Sequence, residues 1–144
     1  MMSGPALIAQ IEIPVRFCEI DPLSIVWHGH YLKYFEEARE AFGRKYGLGY
    51  LDVYSNGFTT PLISMTLEYK KPLVYGDRVL AEVIYVDSPA AKILFEYRAY
   101  NAATKELVAT GRSAQVFITV KNAELHMTIP DFFLEWKKSV GLKL

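Results

Sequence analysis

The sequence predicts a two-layer α+β domain, with one long helix packed on an antiparallel sheet of about five strands. Three observations predict it. Apolar residues follow the helical period once, strongly, between Tyr31 and Phe42. From Leu62 onward the period becomes two and holds through four segments. The connections between those segments are short, which suits antiparallel pairing, because a parallel crossover needs a dozen or more residues. One helix laid on one sheet gives two layers around a shared core.

A first strand is expected from about Ile8 to Ile20, where residues alternate and several are β-branched. Pro14 makes its early part irregular or places it at an edge. The helix comes next. Tyr31, Tyr34, Phe35, Ala38 and Phe42 recur at the spacing of one helical face, and Lys33, Glu36, Glu37 and Glu40 largely fill the other. Gly43 permits a stop, while RKYG extends the pattern to Gly47. GLGYLDVYSNGF then reads as a short turn or helix ended by the breaker SNG.

The second strand, LISMTLEYK, puts Ile63, Met65, Leu67 and Tyr69 on one face. A turn from Pro72 to Asp77 leads into the third, RVLAEVIYVD, and SPAA closes tightly to the fourth. That one, KILFEYRAY, aligns Ile93, Phe95, Tyr97 and Ala99. NAATKE turns the chain into a long last strand, LVATGRSAQVFITV. Asp131 is placed to cap a short C-terminal helix in IPDFFLEWKKSVG. There is no internal repeat, linker or low-complexity tract, so residues 1–144 are read as a single domain. The sheet face left uncovered carries enough apolar residues to predict a homo-oligomer, a homodimer or homotetramer.

Composition narrows the function. The chain is 51% hydrophobic, which supports a sizeable core rather than disorder. Sixteen basic residues balance sixteen acidic ones, and a neutral chain lacks the positive potential that nucleic-acid binding needs. Cys18 is the sole cysteine, so it makes no internal disulfide or zinc set. Its apolar surroundings predict a buried thiol rather than a nucleophile. MMSGPALIAQ lacks the basic start and apolar length of a signal peptide, and no segment reaches the ~20 apolar residues of a membrane span. The expected location is the cytoplasm.

Chemistry is concentrated in FCEIDPLSIVWHGHYLKYFEEAREAF, Phe17 to Phe42. Asp21 closes an apolar run and His28 follows seven positions later, just before the helix. An ionised carboxylate at a strand end serves as a base toward water or as a nucleophile; Asp-Pro also simply starts turns. A helix start offers free N–H groups and partial positive charge, which suit an acyl oxygen that becomes negative. His28 could equally be a polar residue at a helix start. With His30 only two residues on and no clear third ligand, no metal site is expected.

These residues resemble a known family. VRFCEIDPLSIVWHGHYLKYFEEAR looks like the signature of hotdog-fold acyl-CoA thioesterases of the 4-hydroxybenzoyl-CoA thioesterase-like type. The pattern is an apolar strand with an acid near its end, the key Asp, a small residue, Val, an aromatic-His pair and a helix-opening Tyr. Here these are Asp21, Ser24, Val26, Trp27, His28 and Tyr31. YKKPLVYGDRV is similar to the family's Tyr-x-x-Pro-x-x-x-x-Asp hairpin, and the element order fits over nearly the whole chain.

The resemblance implies hydrolysis of an acyl-CoA, or of an acyl group on a carrier protein. Asp21 would attack the carbonyl or activate water, and the His28 backbone N–H would polarise that carbonyl. It also implies sites at a subunit interface and no cofactor, coenzyme A being part of the substrate. Lys92, Lys70, Lys71 and Arg112 are the candidate phosphate contacts. Ser24 stands where the family often has Gly, which allows a differently shaped loop. Phe17 stands where some members have Tyr, and His30 replaces the usual Asn. Two other readings remain open: a hotdog hydratase or dehydratase using a His base and a helix acid such as Glu36, Glu37 or Glu40, and a non-catalytic acyl-binding oligomer.

Overall fold

The computed structural model describes residues 6–144, so part of the leader-peptide reading falls outside the described residues. The chain runs β1 (Ile8–Pro14), α1 (Tyr31–Tyr46), α2 (Tyr50–Ser55), β2 (Phe58–Thr59), β3 (Leu62–Tyr69), β4 (Arg78–Val86), β5 (Lys92–Asn101), β6 (Leu107–Val116), β7 (Ile118–Thr119) and α3 (Asp131–Ser139). Five strands form one antiparallel sheet in the order β1-β4-β5-β6-β3, and β2 pairs with β7 in a small ribbon. One long helix on a five-stranded antiparallel sheet is the predicted architecture.

α1 forms because its apolar residues share one face. Tyr31, Tyr34, Phe35, Ala38 and Phe42 are all buried, against Val79, Ala81, Val83, Ile93, Phe95, Tyr97 and Ala99 from the sheet. Phe35 stacks on Tyr97 with ring centroids 4.9 Å apart. Each fully buried aromatic contributes about 2 kcal/mol of transfer free energy. The sheet accommodates Phe35 through Gly111, where a Cβ would lie 3.1 Å from the Phe35 ring and 3.0 Å from Leu67. The helix continues past Gly43 to Tyr46 and ends at Gly47, whose φ of +72° is the left-handed cap that glycine favours. α3 closes the core's end. Its Phe133 and Trp136 are buried, and the Trp136 indole N–H donates to the Tyr46 carbonyl at 2.7 Å.

Several local expectations are corrected. The first strand stops at Pro14, an edge position, and residues Phe17–Glu19 form a 3-10 turn instead of continuing to Ile20. That turn points Cys18 to solvent, so the thiol is exposed rather than buried. The Tyr69–Asp77 segment is not a hairpin. β3 and β4 are not neighbours in the sheet, and residues 70–77 cross the sheet's end between them. The crossing is fastened by the Lys70 N–H on the Val108 carbonyl, at 2.8 Å, and closes in a turn at Gly76. The long last strand breaks at the buried Phe117 into β6 and β7. Asp131 is the first residue of α3, behind Pro130, and its side chain makes no cap.

The face of the sheet turned away from α1 is more polar than predicted. Gln10 and Arg98 both bond Glu82 there, at 2.7 and 3.4 Å, amid Leu80, Ile84 and Leu94. Exposed apolar side chains gather instead on the edge strand β3, where Ile63 is 54% exposed, and on α2, at Tyr50, Leu51 and Tyr54. Edge position is why β3 buries only Met65 and Leu67 partly, leaving Ile63 and Tyr69 in the open.

Candidate active site

The loop from Ile20 to Val26 is a small closed unit. Ile20 and Val26 pair in an antiparallel bridge, and the Asp21 N–H reaches the Ile25 carbonyl at 2.8 Å. Asp21 Oδ1 accepts the Leu23 N–H at 2.8 Å, an Asx turn in which the carboxylate stands in for backbone. The bland role read from Asp-Pro is therefore real, and it occupies one oxygen. Oδ2 has no hydrogen-bond partner among the described residues. Ser24 takes φ +65°, in the left-handed region that favours glycine.

The loop is anchored on both sides. The Trp27 N–H donates to the Glu19 carbonyl and the Val26 N–H to the Leu73 carbonyl, both at 2.9 Å. Glu19 is itself buried, and its Oε1 accepts the Arg16 N–H and the Tyr34 hydroxyl, each at 2.8 Å. Glu19 thus ties together the end of β1, the loop and α1, its carboxylate holding Arg16 and Tyr34 and its backbone carbonyl holding Trp27. Burial, reinforced by this bond to Glu19, pushes the Tyr34 phenol far above its usual range.

His28, Gly29 and His30 form a 3-10 turn that leads directly into α1. The His30 N–H returns to the Trp27 carbonyl at 2.9 Å, while no backbone carbonyl among the described residues takes the His28 or Gly29 N–H. Those two donors are the free groups at the start of the helix. The Tyr69 hydroxyl, from the end of β3, donates to the His28 carbonyl at 2.8 Å and holds the turn against the sheet edge. Trp27 covers the turn, its ring so close to Gly29 that a Cβ there would lie 2.1 Å from it.

Asp21, His28, Tyr31, Tyr69, Lys70 and Lys71 line one open cleft of about 350 Å³. Four of the sequence-predicted residues thus come together. Lys71 is already paired with Glu106, and that ammonium holds the Glu106 carboxyl below its usual range. Lys70 lies 3.8 Å from Glu68. Lys92 and Arg112 are elsewhere: Lys92 starts β5 opposite Val116, and Arg112 lies in mid-β6 opposite Glu96. Neither lines the cleft. Burial raises Tyr31 to about 12, with the Leu73 backbone hydrogen bond pulling the other way. Sequence reasoning missed Glu19 and Tyr69. Glu19 was visible only as the acid before the key Asp, and Tyr69 only as an alternating strand residue and the opening Tyr of the YKKP stretch, with no role at the site given to it.

Comparison with known proteins places the chain in a family. The profile of the Thioesterase-like superfamily matches residues 15–137. YneP of Bacillus subtilis (strain 168), named as a candidate acyl-CoA thioesterase, is 29% identical over 135 residues, which cover 92% of this chain and 97% of that one. A protein of Aquifex aeolicus (strain VF5), named as a candidate esterase, is 33% identical over 121 residues, 84% of this chain and 91% of its own. The DHNA-CoA thioesterase of Staphylococcus aureus has a TM-score of 0.80 at 24% identity, over 92% of this chain and 90% of that one, which is likeness of fold.

Proposed function

The chain belongs to the thioesterase-like superfamily, the hotdog-fold thioesterases, and on that premise we propose that it hydrolyses an acyl-CoA thioester to free acid and coenzyme A. An acyl group on a carrier protein is the close variant. The observation that supports the reading is that Asp21, a carboxylate with one unengaged oxygen, and His28, whose N–H is free at a helix start, line one cleft.

In this reading the thioester carbonyl lies against the N–H of His28, whose dipole stabilises the oxyanion as it forms. Asp21 then acts in one of two ways. Its Oδ2 adds to the carbonyl carbon and expels the CoA thiolate, leaving an anhydride that water opens. Alternatively it takes a proton from water, and the hydroxide adds instead. The thiolate is a good leaving group, so orientation and electrostatics supply the catalysis. One turnover in ¹⁸O-water separates the two: only the anhydride route can leave label in the Asp21 carboxylate.

Lys70 and Lys71, at the cleft, are the candidates for the CoA phosphates. Lys92 and Arg112 lie away from it and would serve only from a partner copy. Such a copy fits the structure's exposed edge. Among the described residues β3 pairs only with β6, and its free side runs to Tyr69 in the cleft wall, so strand pairing there would set the site at a subunit boundary. Light scattering on the purified chain tests for the dimer or tetramer. No helix among the described residues is long and apolar enough to cross a membrane.

Asp21→Asn keeps the Asx turn's acceptor and removes the charge. Thiol release across a panel of short, long, branched and aromatic acyl-CoAs should fall about 10²–10⁴-fold, with the circular dichroism unchanged. Wild-type turnover in that variant would overturn the mechanism.

A further inference from the structure

Tyr69 is the last residue of β3, and it is held at its backbone, its ring and its hydroxyl. The backbone pairs with Ala109 of β6, and the Lys70 N–H that follows it donates to the Val108 carbonyl at 2.8 Å. The ring meets the Tyr31 ring edge-on at the start of α1, with centroids 5.1 Å apart. The hydroxyl therefore projects from a rigid element, and it donates to the His28 carbonyl at 2.8 Å.

The His28 turn closes without that bond. The Trp27 N–H on the Glu19 carbonyl and the His30 N–H on the Trp27 carbonyl, both at 2.9 Å, hold it from within the loop. The bond also adds little to stability. Tyr69 is 47% exposed, so water can take the hydroxyl's place at the carbonyl.

What water does not supply is direction. The His30 bond fixes the peptide plane between Trp27 and His28, which carries the His28 N–H. The next plane, between His28 and Gly29, ends in the residue with the fewest backbone restraints, and glycine is required there because the Trp27 ring lies against it. The Tyr69 hydroxyl holds this second plane by its carbonyl. With both planes held, the torsions of His28 are set, and with them the direction of an N–H that no backbone carbonyl among the described residues takes. Stabilisation of an oxyanion depends steeply on where its donor points.

We propose that Tyr69 is a positioning residue for the hydrolysis: by holding the His28 carbonyl, its hydroxyl keeps the His28 N–H aimed at the thioester oxygen. The inference rests on the thioesterase reading and adds to it a requirement from β3, outside the loop and the helix.

Tyr69→Phe keeps the ring against Tyr31 and removes only the hydroxyl. On an acyl-CoA that wild type hydrolyses, kcat should fall about tenfold, the rate equivalent of one neutral hydrogen bond, with KM and the urea midpoint little changed. Added to His28→Pro, which takes away the N–H itself, Tyr69→Phe should lower kcat little further, because there is no longer a donor to aim. Infrared spectra read the same contact without turnover. With a ¹³C=O-labelled acyl-CoA bound to Asp21→Asn, the carbonyl stretch should shift to lower wavenumber, and the shift should shrink when Tyr69→Phe is added. Unchanged kcat in Tyr69→Phe, a rise in KM alone, a full further tenfold loss on top of His28→Pro, or an undiminished infrared shift would each overturn the proposal while hydrolysis itself stands. The single variant and the infrared pair decide the matter even if His28→Pro fails to fold. A wild type that releases no thiol from any acyl-CoA would overturn the thioesterase reading, and this inference with it.

Discussion

The Glu19 carboxylate and the Tyr34 hydroxyl meet at 2.8 Å inside the protein, at the root of the Asp21 loop. Tyr34→Phe would leave buried Oε1 with the Arg16 N–H alone. We expect a loss of about 1–3 kcal/mol in urea unfolding. Because Glu19 also holds the loop, through its backbone carbonyl and the Trp27 N–H, kcat should fall with KM little changed. An unchanged kcat would reduce the bond to a purely structural role.

Ser24 predicts a gain. A non-glycine residue at positive φ costs about 1–2 kcal/mol, and glycine relieves this while losing part of the gain to the flexibility of the unfolded chain. Ser24→Gly should raise stability by about 0.5 kcal/mol, a rise in Tm of about 1–2 °C. Ser24→Val, β-branched at φ +65°, should destabilise and impair turnover together.

Three buried tyrosines set an alkaline limit. Burial pushes Tyr31 up to about 12 and Tyr34 and Tyr85 higher still, with Asp87 adding to the shift at Tyr85. The folded pKa values lie above the unfolded value of 10.0. The folded state therefore keeps its protons where the unfolded state has released them. The stability is fully present below pH ~10 and is lost as pH rises from there toward the folded values. Phenolate absorbance and circular dichroism should change together on alkaline titration. Tyrosines ionising in a chain that stays folded would contradict the burial.

How much of this was legible in the sequence follows from the range of the forces. Period carried the helix face and the alternation of β5, because a residue's burial there depends on neighbours in its own element. Cys18 was misjudged because its exposure depends on where β1 ends, which is not a local property. Residues 70–77 looked like a hairpin because spacing does not tell a turn from a crossing. Within the candidate site, the joint setting of Asp21 and His28 pointed to two residues that line one cleft. Glu19 and Tyr69 could not be read in this way, since each acts by meeting a residue far away in the chain: Tyr34 is 15 positions from Glu19, and His28 is 41 from Tyr69.

The role of His28 can be divided between its backbone and its ring. Proline is tolerated at the first position of a helical turn, where no helical acceptor waits for the N–H. It also requires the preceding residue to be extended, and Trp27, at φ −60° and ψ 135°, already is. His28→Pro should therefore fold and lose the N–H, whereas His28→Ala keeps the N–H and loses the imidazole. If the N–H stabilises the oxyanion, His28→Pro should lower kcat by about 10²–10³-fold, the usual effect of removing one such donor. His28→Ala should stay within about tenfold of wild type, since that loss is smaller than the removal of an oxyanion donor. The reverse order, with alanine the worse of the two, would assign the chemistry to the imidazole.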